Sequence, residues 1–225
     1  MEQLRDRERG DRGDRRSRLQ SARLYLVCDG QGDRFLQAAL RGGVDIVQLR
    51  LKHSNDHEII STGSRFARVC AAHGALFILN DRPDLVAEAA ADGVHLGQDD
   101  MSVVQARAMV GPDRLVGLST HSQAQVDAAE GADYIGVGPV YETPTKPGRE
   151  AVGLDLVRHA AARAAVPFFA IGGIDDATLG GVVAAGARRI AVVRALVGAP
   201  DPEKAARRLG RALETKREPV GAAQS

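Results

Sequence analysis

Residues 78–100 read ILNDRPDLVAEAAADGVHLGQDD and contain one strand–helix–strand repeat. An apolar run ends in Asn80-Asp81, an alanine-rich stretch follows, and a second apolar run ends in Gln98-Asp99-Asp100. Pro83 stands where the first turn of a helix tolerates proline. The pattern predicts two parallel strands, with a helix over residues 84–91 as the return path between them.

The same alternation continues through residues 22–214. Eight apolar or β-branched runs predict strands over 24–29, 45–51, 76–81, 93–98, 115–120, 134–140, 167–173 and 189–196. The stretches between them predict helices over 33–42, 55–73, 84–91, 102–110, 122–130, 153–164, 175–185 and 201–214, with Ser54, Ser102 and Asp175 as candidate caps. Such alternation builds parallel βαβ units. Eight units predict a single-domain α/β fold, the closed (β/α)8 TIM barrel, with an open doubly wound sheet as the alternative.

Composition and chain ends restrict the function. Lysine plus arginine (30) nearly balances aspartate plus glutamate (29), so net charge gives no reason to expect a nucleic acid or a membrane as partner. No apolar run reaches the roughly 18 residues of a membrane span, and no signal-peptide core is present. Cys28 and Cys70 fit no disulfide or metal spacing, which favours a cytoplasmic protein. A homo-oligomer is left open.

Both chain ends are rich in polar residues. The first twenty residues contain seven arginines and five acids and almost nothing to bury. We therefore expect a disordered, charged arm over residues 1–21 rather than a nucleic-acid tail. Residues 215–225 are expected to form a disordered C-terminal tail.

Polar residues collect where the predicted strands end, and in a barrel those ends converge on one face. They are Asp29, Gln48, Arg50, Lys52, Asn80, Asp81, Asp99, Asp100, Ser119, Thr120, His121 and Arg194. A long loop, YETPTKPGRE, follows the sixth strand at 141–150, and Gly172-Gly173 follows the seventh. Sequence-distant residues are thus expected to share one site.

The second strand carries the cations of this face. Because side chains alternate along a strand, Gln48, Arg50 and Lys52 share one side, and Leu49 and Leu51 share the side that faces the helices. Cations that point into a barrel mouth favour a phosphate or diphosphate ligand. Ion pairs with carboxylates of neighbouring strands are the alternative.

Carboxylates at the tips of the third and fourth strands predict a metal site. Asp81 and Asp100 would lie on adjacent strands, and a divalent cation such as Mg²⁺ relieves the repulsion between them. Asp99 is expected to face elsewhere, because adjacent residues of an extended segment alternate. His95 is interpreted as a packed core imidazole, whereas His121 is left open between contacting substrate and orienting a loop.

The last two strands predict a second anion site. Backbone amides beside Gly172-Gly173, with a helix start near Asp175, form a cradle of the kind that holds phosphate in many barrels. Arg194 lies near the predicted end of the eighth strand. The sequence contains no Ser-His-Asp arrangement or nucleophile elbow.

Seven motifs in order through the chain closely resemble the thiamine-phosphate synthase family. They are QLRLK (48–52), ILND (78–81), GVHLGQDD (93–100), GLSTH (117–121), GVGPVYETPTK (136–146), AIGGI (170–174) and IAVV (190–193). The resemblance implies a (β/α)8 barrel that joins 4-amino-5-hydroxymethyl-2-methylpyrimidine diphosphate to a carboxylated thiazole phosphate. The products are thiamine phosphate, diphosphate and carbon dioxide.

The resemblance also implies roles for individual residues. The pyrimidine diphosphate would be bound by Gln48, Leu49, Arg50, Leu51, Lys52, Asn80, Ser119 and Lys146. The thiazole phosphate would be bound by Thr143, Pro144, Thr145, Gly173, Val193 and Arg194. Mg²⁺ would be held by Asp81 and Asp100, and the charge on the departing diphosphate would be stabilised by Arg50, Lys52 and Lys146.

One position departs from the family pattern, and two other functions stay open. Arg194 stands where the family often has serine after VV in the last strand. A thiazole tautomerase shares the barrel and a phosphate pocket but would not need the diphosphate and magnesium residues. A non-catalytic sensor of thiamine phosphate would not need the metal pair either.

Overall fold

The computed structural model describes residues 14–143 and 150–214 and forms a closed barrel of eight parallel strands. Each strand pairs with the next, and β1 pairs with β8 to close the barrel. The predicted (β/α)8 fold is therefore confirmed, and the open sheet is excluded. The strands are Leu24–Cys28 (β1), Ile46–Leu49 (β2), Leu76–Asn80 (β3), Gly93–Leu96 (β4), Leu115–Thr120 (β5), Tyr134–Val137 (β6), Phe168–Ile171 (β7) and Ile190–Val192 (β8).

Helices surround the barrel and connect its strands. They comprise residues 14–21 (α1), Asp33–Arg41 (α2), Asp56–Ala72 (α3), Val103–Val110 (α4), Gln123–Asp127 (α5), Gly153–Arg163 (α6), Leu179–Ala184 (α7), Arg194–Val197 (α8) and Pro202–Glu214 (α9). A 3₁₀ turn occupies Pro83–Leu85. None of the helices in the described ranges is long and apolar enough to cross a membrane.

Alternation along the short strands separates two cores. Outward residues such as Leu26 and Leu49 pack against the helices, where the larger core lies. Inward residues such as Tyr25, Tyr134 and Phe169 fill the barrel itself. The inward face therefore decides which side chains reach the site at the carboxyl ends of the strands.

Three aspartates stabilise the opposite end of the barrel, each placed one residue before an even-numbered strand. Asp45 accepts hydrogen bonds from the backbone N–H groups of Arg23 and Leu24 at 2.8 and 3.0 Å. Asp92 accepts from Phe77 N at 2.9 Å, and Asp133 accepts from Val116 N at 2.8 Å. Each carboxylate thus satisfies backbone donors near the start of the preceding strand.

The structure differs from the predicted arm at residues 14–21, which form helix α1. Leu19 of this helix is 1% exposed and packs with the inward residues of the barrel. Arg15 and Arg16 form ion pairs with Asp92 and Asp133 at 2.8 and 2.9 Å. The disordered-arm prediction is wrong for this part because one buried leucine and two distant aspartates anchor a segment of high charge. The rest of the predicted arm, and the predicted tail at 215–225, lie outside the described residues.

Several predicted strands and helices are shorter in the structure, and one predicted helix is absent. In place of a helix over 84–91, a 3₁₀ turn is followed by turns, and Ala90 adopts a φ of 53°. Ala89 packs so closely on Gly63 of α3 that a Cβ at position 63 would overlap it. The last strand ends at Val192 rather than 196, and Arg194 begins α8.

Side-chain caps in the structure confirm one predicted helix start and show that another lies one residue later. Ser102 caps α4 in a reciprocal capping box with Gln105. Helix α3 is capped by Asn55 rather than Ser54, since Asn55 accepts from Glu58 N at 2.9 Å. Asp175 accepts from Ala177 N and Thr178 N, in the turn before α7.

Candidate active site

A cavity of about 620 Å³ opens at the carboxyl ends of the strands. Its walls come from strands around the whole barrel and from the loops that follow them. Predicted site residues in its lining are Gln48, Arg50, Lys52, Asn80, Asp81, Asp100, Ser119, Thr143, Gly173, Val193 and Arg194. Of the polar residues predicted to converge on this face, all but Asp29 and Thr120 line this one cavity.

Two residues of the predicted pyrimidine set have side chains that face away from this cavity. Leu49 is 1% exposed and packs in the outer core, and Leu51 packs against the same core. Alternation along β2 turns them toward the helices. Their side chains therefore face the helices, as alternation predicted, and a role in binding the pyrimidine diphosphate is left to their backbone groups. Pro144, Thr145 and Lys146 lie outside the described residues.

The two cations that follow β2 differ in their neighbours. Lys52 Nζ lies 3.9 Å from Asp81 Oδ2, a loose ion pair at the cavity rim. Arg50 is half-buried and lines the cavity, and within residues 14–143 and 150–214 it forms no ion pair. A half-buried guanidinium that faces a cavity without a carboxylate partner favours an anionic ligand. Of the two alternatives for these cations, Arg50 supports ligand binding, whereas Lys52 shows the ion pair.

Asp81 and Asp100 meet, as the sequence predicted. Burial, a hydrogen bond between protonated Asp81 and Asp100, and the negative charge of Asp100 together raise the pKa of Asp81 from 3.8 to about 6. Lys52 and a hydrogen bond from Asn80 oppose the rise. Asp100 Oδ2 accepts from Gly97 N at 2.7 Å, which orients its carboxylate. Asp99 also lines the cavity, but it is Asp100 that interacts with Asp81.

Asp81 adopts an unusual backbone conformation. Its φ is 60°, in the left-handed region that residues other than glycine, asparagine and aspartate seldom occupy. The backbone N–H of Asp81 donates to His95 O at 2.9 Å, which holds the residue beside β4. Conformations of this kind persist where the surrounding structure requires them, and they cluster at functional sites.

The second predicted anion site lies at the ends of β7 and β8. Gly172 and Gly173 have φ values of 104° and 65°, and a Cβ at Gly172 would overlap Pro139. Only glycine fits that close approach of two backbone segments. Gly173 follows β7 and Val193 and Arg194 follow its neighbour β8, and together with Thr143 they line the cavity.

The floor of the cavity contains residues that sequence reasoning missed. Tyr25, Tyr134 and Phe169 form an aromatic cluster with ring centroids 5.3–5.9 Å apart. His95, predicted to be a packed core imidazole, instead lines the cavity, and its Nε2 lies 3.0 Å from Ser119 Oγ. Inward alternation along β1, β4 and β6 was the available signal, but tyrosine and histidine within an apolar run also suit a closed core.

His121, which the sequence left open, lines the cavity wall. Its Nδ1 contacts Gly138 O, and its backbone N donates to Gln125 Oε1 at 2.7 Å. The imidazole thus orients the loop after β6, and one side of the imidazole ring faces the cavity.

A closed eight-stranded barrel with a polar cavity at the carboxyl ends of its strands is the arrangement of (β/α)8-barrel enzymes. A family model described as thiamine monophosphate synthase matches residues 24–196. The chain therefore belongs to the thiamine monophosphate synthase family.

Curated relatives agree with that membership. The chain is 52% identical over 194 residues to the thiamine-phosphate synthase of Gloeobacter violaceus, covering 84% of this chain and 57% of that protein. It is 51% identical over 207 residues to the thiamine-phosphate synthase of Streptomyces avermitilis, covering 88% and 96%. The chain thus spans just over half the length of some relatives and nearly the whole length of others.

Solved structures show the same fold. The thiamine phosphate pyrophosphorylase from Pyrococcus furiosus superposes with a TM-score of 0.78 at 31% identity, covering 85% of this chain and 95% of that one. The 3-hexulose-6-phosphate synthase from Salmonella typhimurium superposes with a TM-score of 0.64 at 20% identity, covering 85% and 98%. The second likeness concerns the barrel alone.

Proposed function

We propose that this chain is a Mg²⁺-dependent thiamine-phosphate synthase. It joins 4-amino-5-hydroxymethyl-2-methylpyrimidine diphosphate to the carboxylated thiazole phosphate and releases diphosphate and carbon dioxide. Family membership and the names of relatives at about 50% identity support the reaction. The observation that carries it in this chain is the pairing, in one cavity, of a half-buried Arg50 without an ion-pair partner in the described ranges and two facing carboxylates.

The carboxylates fit Mg²⁺. Asp81 is disfavoured as an anion by burial and by Asp100, and a divalent cation between them would relieve that cost. No cluster of three or more potential metal ligands occurs in residues 14–143 and 150–214. Mg²⁺ is commonly held by one or two carboxylates together with substrate phosphates, so this pair suffices. When bound, Mg²⁺ would neutralise negative charge that develops on the departing diphosphate.

The chain's own residues would place and stabilise that leaving group. Lys52 lies beside Asp81, Arg50 lines the same cavity, and Lys146, in the sequence after β6, is proposed to join them at the diphosphate. Departure of diphosphate leaves a pyrimidine-methyl cation, which the thiazole nitrogen captures. The thiazolium so formed loses its carboxylate as carbon dioxide, and the vacated carbon takes up a proton from solvent. Fixed positive charge at the leaving group accelerates the departure of diphosphate, and removing one contact typically costs about 2.7–4 kcal/mol of barrier.

The reaction requires no protein nucleophile, which agrees with the thiols of this chain. Cys28 and Cys70 are buried in the outer core, away from the cavity lining. Burial raises the pKa of Cys70 to about 12 and that of Cys28 further, so both stay protonated thiols. Neither is available for covalent chemistry.

The small-molecule partners follow from this proposal. The ligands are two small phosphorylated substrates, with no nucleic acid and no membrane. A cytoplasmic location remains a prediction, and a homo-oligomer stays open.

The decisive experiment measures diphosphate release by purified protein given both substrates with Mg²⁺, and in parallel with EDTA. We expect release matched by thiamine phosphate formation, abolished by EDTA. No release above a no-enzyme control would refute the proposal. Isomerisation of the thiazole phosphate without diphosphate release would identify a tautomerase instead. Binding of thiamine phosphate without turnover would identify a sensor.

A further inference from the structure

Six side chains form one continuous chain of hydrogen bonds across the floor of the cavity. Donors and acceptors are separated by 2.6 Å from Gln48 to Asn80, 2.9 Å from Tyr25 to Gln48 and 2.9 Å between Tyr25 and Tyr134. The chain continues with 3.3 Å from Tyr134 to His95 Nδ1 and 3.0 Å from His95 Nε2 to Ser119 Oγ. It therefore joins two residues of the proposed pyrimidine site, Gln48 and Ser119, through three residues that nothing else in the reaction uses.

Counting protons shows that the hydrogen bonds of this chain of side chains can be donated in only one direction. A phenol has one hydroxyl proton, and Tyr25 donates its proton to Gln48 Oε1. Tyr134 must then donate to Tyr25, so its own oxygen accepts from His95. His95 consequently carries its proton on Nδ1, and its Nε2 accepts from the Ser119 hydroxyl.

The Gln48 amide fixes that direction. Its Nε2 donates to Asn80 Oδ1 at 2.6 Å, so its Oε1 is the atom that accepts from Tyr25 at 2.9 Å. With the amide turned round, its oxygen would face Asn80 Oδ1, and two acceptors would face each other. The amide at one end of this chain of hydrogen bonds thereby orders every proton up to Ser119.

Packing keeps the chain in place. Tyr25 and Tyr134 are 2% and 0% exposed, and burial raises the pKa of both phenols, so their protons are retained. The Tyr134 ring lies against Gly117, where a Cβ would overlap it, and it stacks on His95 with centroids 5.5 Å apart. Buried polar chains of this kind rigidify a site when every member has a partner.

We propose that Tyr25, Tyr134 and His95 are positioning residues that make the site specific for an amino-substituted pyrimidine. Gln48 is fixed by its hydrogen bonds to Asn80 and Tyr25, so it can offer the cavity only an N–H donor. The Ser119 hydroxyl proton is donated to His95, so Ser119 can offer only acceptor lone pairs. An unprotonated ring nitrogen and an exocyclic amino group satisfy this pair. A 4-oxo pyrimidine presents the opposite groups and leaves both residues unsatisfied.

The same order of protons favours the proposed chemistry. A Ser119 oxygen that accepts from the substrate amino group increases electron release from that nitrogen into the ring, where the cation forms. A Ser119 hydroxyl donating in the reverse direction would compete for the nitrogen lone pair. The inference rests on the proposed function for its kinetics, whereas the order of protons can be measured without substrate.

The first test is the ¹⁵N spectrum of His95 in the full-length protein. We expect the proton on Nδ1 in the wild type, and a mixture with the Nε2–H tautomer in Tyr134→Phe, which keeps the ring but removes the hydroxyl. Tyr141→Phe is the control, because its hydroxyl contacts Thr178 O outside the chain. A wild-type proton on Nε2, or an unchanged tautomer in Tyr134→Phe, would overturn the proposal. Tyr25→Phe is the second variant if the first does not fold.

The second test compares kcat/KM for the 4-amino and 4-oxo pyrimidine diphosphates. We expect Tyr134→Phe to lower discrimination about 10- to 100-fold, with most of the loss in kcat for the amino substrate. Tyr141→Phe should keep the wild-type ratio. Unchanged discrimination in Tyr134→Phe would contradict the specificity role. If no variant or wild type released diphosphate, the proposed function would fail, and the tautomer measurement would still decide the order of protons.

Discussion

Replacing Asp81 by asparagine should make the metal-free protein more stable while abolishing turnover. Asparagine keeps the size of the side chain and tolerates the φ of 60° at this position. It removes the charge that burial and Asp100 disfavour, and its N–H group can donate to the Asp100 carboxylate. The substitution therefore separates what position 81 does for folding from what it does for function.

The size of the gain follows from the pKa of Asp81. A carboxyl whose pKa rises from 3.8 to about 6 costs on the order of 3 kcal/mol when it is ionised in the folded protein. The side chain is still 27% exposed, so solvent screening reduces this to about 1–2 kcal/mol. For a chain of this size the midpoint of thermal unfolding should rise by roughly 2–8 °C.

The gain in free energy of unfolding in Asp81→Asn must also depend on pH, and its direction is fixed. Because the folded pKa is higher than the unfolded one, the penalty is complete above about pH 6 and disappears as the pH falls through 3.8. The free energy of unfolding, measured by urea titration in EDTA at pH 7.5 and at pH 4.5, should show a larger gain at pH 7.5. Asp99→Asn, on an exposed neighbour, should stay within about 0.5 kcal/mol of wild type. A less stable Asp81→Asn, or a gain that grows toward acid, would refute the reasoning.

Further substitutions test other parts of the account. Leu19→Ala should lower the free energy of unfolding by about 2–5 kcal/mol, because Leu19 is buried under the barrel. The control Val104→Ala, at a side chain that is 77% exposed, should change the free energy of unfolding by less than about 0.5 kcal/mol. Equal effects of the two substitutions would show that α1 is dispensable. Mg²⁺ at 100 times its Kd should stabilise the wild type by about 2.7 kcal/mol, and Asp100→Asn should lose most of that gain in a thermal-shift titration. Arg50→Ala should lower kcat/KM for the pyrimidine diphosphate about 100- to 1,000-fold without changing unfolding, and a small effect would remove Arg50 from the diphosphate site. Arg194→Ala should raise KM for the thiazole phosphate alone; a change only in KM for the pyrimidine diphosphate would place Arg194 elsewhere.

Alternation and repeat length explain why much of the site was predictable. Side chains two apart in extended backbone face the same way, which placed Gln48 of β2 and Arg50 just after β2 together in the cavity. One α/β repeat separates Asp81 from Asp100, and parallel pairing of β3 with β4 brings them into contact. Both inferences depend only on the two-residue period of a strand and on the repeated order of strand and helix, and both can be read from the sequence.

Long-range partners explain what was missed. Helix α1 looked like a solvated arm because its arginines pair with Asp92 and Asp133, which lie far away in the chain. The hydrogen-bond chain through Tyr25 and Tyr134 joins residues 109 positions apart, and no local pattern encodes such a contact. The helix predicted over 84–91 failed because its backbone is set by close packing on α3 rather than by its own helical propensity.

The most direct test of the central claim is the rate of diphosphate release by the wild-type protein with both substrates, with and without Mg²⁺. The arrangement of Arg50, Lys52, Asp81 and Asp100 in one cavity predicts release that requires Mg²⁺ and equals the thiamine phosphate formed. Asp81→Asn, although as stable as the wild type or more so, should show almost none. Release that persists in EDTA, or no release above the no-enzyme control, would contradict the account.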